Sequence, residues 1–101
     1  MKIPDKIKIV GRDIKVVWVP DLVQQDDIVG QAAFRYDTIR LQSNNAGLIK
    51  TPQSLALSLL HEILHWAFFL MHEDKQNKDE ALVSRLSEVL YQVLHDNQLR
   101  F

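Results

Sequence analysis

The residues best suited to chemistry in this chain are two histidines four positions apart with a glutamate between them, His61-Glu62-Ile63-Leu64-His65. On a helix, positions i and i+4 project side by side, so the two imidazoles can grip one zinc ion through neutral ring nitrogens. Glu62 stands one position round the axis. That offset lets it reach a water beside the metal without being a ligand, which is the placement of a general base. The expected chemistry is hydrolysis: zinc acidifies the water, Glu62 takes its proton, the hydroxide attacks a peptide carbonyl, and Glu62 returns the proton to the leaving amine. The sequence has no cysteine. Any metal must therefore rest on imidazole and carboxylate, since thiolate sites and disulfides are both ruled out.

Such a pair works only on a formed helix, and the start of one is written at Thr51-Pro52, a capping threonine followed by proline at the first helical position. The helix is expected over residues 52 to about 72. Ser54, Ser58, His61, Glu62, His65 and His72 fall in one arc of roughly 100° around its axis, and nearly all else is apolar, as in the central helix of a small domain. Upstream, residues 6–10 and 13–19 read as strands around a turn at Gly11-Arg12, closed by Pro20. Residues 22–28 form a polar connection. Extended character resumes at 29–36 and 38–42 across a turn at Asp37, and Asn44, Asn45 and Gly47 mark a loop. The expected fold is α+β: a small, mostly antiparallel sheet of three to four strands packed on the central helix and on a C-terminal helix.

Length and charge exclude several functions. A chain of 101 residues, 47% of them hydrophobic, fits one domain over 1–101. Twelve basic residues face 13 acidic ones and are scattered along the chain. No electrostatic footprint for nucleic acid is present. The apolar run over residues 55–71 is interrupted by Ser58, His61, Glu62 and His65, unlike a membrane span. Residues 1–8 lack the apolar core of a signal peptide, and the expected location is the cytoplasm. The expected partner is a protein or peptide substrate.

His61 to His65 in a long helix after a small sheet resembles the zincin metallopeptidases, specifically the ImmA/IrrE-like group and the short phage-encoded proteins related to it. Flanking likenesses are Gly30 and Tyr36-Asp37 before Ile39 and Leu41. The last helix, over 83–97 with Leu86, Leu90-Tyr91 and Leu94, is similar to the phage type. The resemblance implies a minimal zincin fold, Zn2+ as cofactor, a glutamate from the final helix as third ligand, and proteolysis of a protein substrate. The metzincin pattern is not met, because Phe68 and Met71 stand where its glycine and third histidine would be. His72 lies about 10 Å of rise beyond His65 and reads as a helix-end histidine.

The final helix, from about residue 78 to 96, holds the candidates for the third ligand. Its periodicity gives a buried face of Leu82, Leu86, Leu90 and Val93 with Val83 and Val89 beside them. Glu88 then falls on the solvent side with Arg85 and Gln92. Glu80 heads a stripe with Ser84, Ser87 and Tyr91 along the edge of the buried face and ranks first, ahead of Asp79, Glu88 or completion by waters. Asn77-x-x-Glu80 also matches a capping box. The substrate is expected to lie extended beside the exposed edge of strand 38–42. The alternative to a peptidase is a zinc-binding regulatory or interaction module without turnover, since a small domain gains folding energy from a metal.

Overall fold

The computed structural model describes residues 3–19, 30–42, 44–45, 48–49 and 51–99; the expected polar connection at 22–28 lies outside them. The first two strands, β1 (Lys6–Ile9) and β2 (Arg12–Trp18), pair antiparallel with Ile7 opposite Ile14 and Ile9 opposite Arg12. Their turn is Val10-Gly11, one residue earlier than the sequence suggests. Both turn residues have positive φ, 48° and 78°. This is the twist a two-residue hairpin needs, and glycine takes it freely while valine does not. Val10 is 78% exposed, so its side chain contributes little packing to offset the strain. Val10→Asn should stabilise the fold by about 1 kcal/mol, raising the melting temperature by about 4–8 °C in a domain of this size. An unchanged or lower melting temperature by circular dichroism would refute the turn geometry.

β3 (Gly30–Ala33) and β4 (Thr38–Leu41) also pair antiparallel, and the sheet runs β1-β2-β4-β3. The pairing that joins the two hairpins is parallel, β2 with β4, placing Val16 opposite Ile39 and Trp18 opposite Leu41. Strand 38–42 is consequently interior, paired on both sides, and the exposed edge expected there does not exist. β3 is also shorter than expected. Residues Phe34–Tyr36 form a 3-10 turn, which swings Phe34 out of strand alternation to stack on Phe69 at 4.2 Å and meet Trp66 edge-on at 5.0 Å. Asp37 then reverses the chain at φ 48°. The expected loop at 44–47 contains a minimal ladder, β5 (Asn44–Asn45) with β6 (Leu48–Ile49).

The long helix α1 (Pro52–Leu70) starts as expected, Thr51 Oγ1 accepting from the Ser54 amide at 3.1 Å with Pro52 at the first position. It ends two residues before His72. Glu73 N donates to Phe68 O and His72 N to Phe69 O, with His72 at φ 60°. That is a Schellman stop with histidine in the position glycine usually fills. Strand alternation points Ile14, Val16, Ile39 and Leu41 at this helix, where Leu59 and Trp66 complete the core. The Trp66 indole N–H donates to Thr38 O at 3.3 Å, which satisfies its one polar atom inside. A single helical turn α2 (Asp74–Asn77) leads to α3 (Glu80–Asp96), capped by Asp79, whose Oδ1 accepts from Leu82 N at 3.1 Å. The result is the expected α+β architecture. No helix among the described residues is long and apolar enough to cross a membrane.

α3 is rotated from its expected orientation. Its buried residues are Val83 and Ser87, whereas Leu82, Val89 and Val93 are exposed. Burying the leucine stripe would have put bulky side chains against α1. The stripe Glu80, Ser84 and Ser87 is turned that way instead, and its small serines leave room for the imidazoles of α1. Ser87 Oγ donates to Ser84 O at 2.8 Å, so its hydroxyl needs no partner on α1.

Candidate metal centre

His61 and His65 project from the same side of α1 toward the start of α3, with ring centroids 4.8 Å apart. Glu80, the first residue of α3, closes the set. Its Oε1 lies 2.9 Å from His65 Nε2, its Oε2 lies 3.1 Å from His61 Nε2, and the two Nε2 atoms are 3.2 Å apart. Four-coordinate zinc with bonds of about 2.0–2.1 Å spaces its ligand atoms about 3.3 Å apart. The observed triangle is therefore nearly that of a first coordination shell. Among the described residues these three form the one group of its kind, their ligand atoms all within 4.8 Å.

The far sides of the rings decide whether the near sides can bind a cation. His65 Nδ1 is 2.6 Å from Asn77 Oδ1, an acceptor, a contact that favours the tautomer with its proton on Nδ1 and Nε2 free to ligate. His61 Nδ1 meets Ser84 Oγ at 3.5 Å, a long contact on the same side. Two imidazole nitrogens and a carboxylate converging on one point form a donor set that fits zinc. Burial, followed by the neighbouring His65, lowers the His61 pKa from its ordinary value against the opposing pull of Glu80. The neutral, ligating form of His61 thus persists to lower pH than in a free imidazole.

Of the three acids weighed for the third ligand, Glu80 alone meets the histidines. Asp79 is occupied as the cap of α3. Glu88 lies farther along that helix, in an open groove with Tyr91, Gln92 and His95. The capping-box reading of Asn77 is corrected: Asp79 is the cap, and Asn77 turns back to His65. Sequence reasoning missed Asn77 and Ser84 as partners of the rings. One signal was available, because Ser84 stands one helical turn beyond Glu80 on the same face. Glu62 is 5% exposed and lies on the core-facing side of α1 with Leu59 and Trp66, deeper than a shared arc with the histidines implies.

Asn77→Ala should cost about 10- to 100-fold in zinc affinity by freeing the His65 ring to rotate and change tautomer. Asn77→Asp, which keeps an acceptor at that point, should recover most of the loss. A competition titration in which Asn77→Ala binds as tightly as the parent would remove Asn77 from the site. No family model, no curated protein and no solved structure matches this chain.

Proposed function

We propose that this chain is a minimal zinc-dependent peptidase acting on a protein or peptide substrate in the cytoplasm, of the kind encoded by phages and mobile elements. The observation that carries the reading is the convergence of His61 Nε2, His65 Nε2 and the Glu80 carboxylate beside a helix that also bears Glu62. A zinc ion held by those three would acidify a water and polarise a substrate carbonyl. Glu62 takes the proton from the attacking water and delivers it to the leaving amine. Asn77 holds the His65 ring in place, and Ser84 stands beside the His61 ring. With β4 interior, the outer side of β3 is the sheet edge next to α1 among the described residues, and it suits an extended peptide pairing through its main chain.

Protein purified without chelator should contain one zinc per chain, and Glu80→Gln should weaken binding well beyond any effect of Glu88→Gln. Elemental analysis and titration decide this. A protein that contains no zinc and takes up none on titration is not a zinc enzyme, and its Glu80 would then be a plain ion-pair partner of two histidines. The second reading, a zinc-binding module without turnover, is favoured by the depth of Glu62, since a 5% exposed carboxylate is also what a structural group looks like.

A further inference from the structure

His61, His65 and Glu80 take up one end of the contact between α1 and α3, and the other end is open. The two helices run antiparallel there, since Glu80 meets both histidines and Ser84, one turn on, meets His61. Beyond that point a groove of about 460 Å³ lies between them, with Gln53 and Leu57 on the α1 side and Glu88, Tyr91, His95 and Asp96 on the α3 side. Leu57 stands one turn before His61 and Glu88 one turn after Ser84, so the groove begins next to the metal centre.

Its α3 wall is acidic and partly aromatic. Glu88 and Asp96 both line it, and among the described residues no lysine or arginine does. The exposed Glu88 carboxylate has no hydrogen-bond or ion-pair partner among the described residues. Asp96 is oriented at both oxygens, Oδ2 accepting from Gln92 Nε2 at 3.2 Å and Oδ1 lying 3.1 Å from His95 Nδ1. Tyr91 and His95 stack at 5.3 Å with planes 19° apart, a flat aromatic surface between the two acids. A guanidinium or ammonium group is bound by this combination of a carboxylate with free lone pairs and an aromatic face. We propose that the groove receives the substrate on one side of the scissile bond and takes a basic segment there, with an arginine or lysine side chain on Glu88. The proposal rests on the peptidase reading of the metal centre. Glu88 lies about 6 Å of rise beyond Ser84, and an extended peptide covers about 3.3 Å per residue, so the basic residue belongs about two positions from the bond that is cut.

Two readouts test this, one of them independent of turnover. The Glu62→Gln protein is titrated with short alanine-based peptides carrying arginine, leucine or glutamate at the centre, and backbone amide shifts are followed by NMR. The arginine peptide should bind at least about tenfold more tightly than the other two, with shifts at residues 53–57 and 88–96. Adding Glu88→Lys should abolish that preference with an unchanged far-UV spectrum, because Glu88 is exposed. On a peptide library, the zinc-loaded parent should cut where arginine or lysine stands at one fixed position. Glu88→Lys alone should lower kcat/KM on those peptides at least about tenfold, with neutral peptides and zinc content unchanged. Cleavage without a basic preference, equal binding of the three peptides, or a preference that survives Glu88→Lys overturns the basic subsite and leaves the peptidase reading standing. An arginine peptide that seats in the groove of a protein cleaving nothing in the library removes the peptidase reading and keeps the groove as a site for basic peptides.

Discussion

Glu62→Gln is expected to lower the rate of peptide hydrolysis by about 10²- to 10⁴-fold, the usual size of a general-base contribution, while zinc content stays at the parent level. Glutamine keeps the shape of the side chain and a polar tip but cannot accept and release the proton. The substitution also separates the two functional readings, because Glu62 is almost wholly buried. If its carboxylate serves the fold, exchanging one of its oxygens for an amide nitrogen shifts the melting temperature, by an amount set by the partner left behind. If it serves the reaction, melting and metal affinity hold and turnover collapses. The substrates to assay are a broad peptide library and the proteins encoded beside this one, since a small peptidase can be inert on casein. Zinc-loaded parent and Glu62→Gln proteins that behave alike on all of them would end the peptidase claim.

The second large effect concerns His65, the less exposed of the two imidazoles at 12%. His65→Ala leaves one imidazole and one carboxylate, and zinc affinity should fall by more than the roughly 100-fold that loss of a supporting partner can cost. Stability reports the same event. Zinc at a thousand times its dissociation constant stabilises the folded parent by about 4 kcal/mol, which raises the melting temperature by an amount of the order of 15 °C. The variant should show almost none of that rise, while its metal-free melting point moves far less. Equal zinc-induced shifts in parent and variant would place the ion elsewhere.

The elements that came directly from the sequence are those with strong local signals. Thr51-Pro52 wrote the start of α1, the Ile and Val alternation wrote β2, and the spacing of His61 and His65 put both rings on one side of a helix. Glu80 ranks first among the acids through its place in a stripe with Ser84 and Ser87. The orientation of its helix is not legible in the same way, because apolar periodicity sends leucines inward and takes no account of imidazoles needing room beneath small residues. Asn77 is ambiguous in the sequence because Asn-x-x-Glu serves equally as a cap and as a coincidence, and only the position of Asp79 separates the two. The parallel union of β2 and β4 was invisible for another reason. Val16 and Ile39 lie 23 positions apart, and no residue type announces which neighbour a buried strand will take.

That parallel union also shapes how the chain reaches this structure. Each hairpin closes locally, through a two-residue turn for β1 and β2 and through the short turn at Asp37 for β3 and β4. Neither buries much alone, since Ile14 and Val16 lie in one and Ile39 and Leu41 in the other. The rate-limiting event is then expected to be the docking of β2 on β4 with α1 across them, when the sequence-distant contacts form together. Substitutions at Val16 or Ile39 should slow folding, whereas changes in the turn at Val10 should act mainly on one hairpin's own equilibrium.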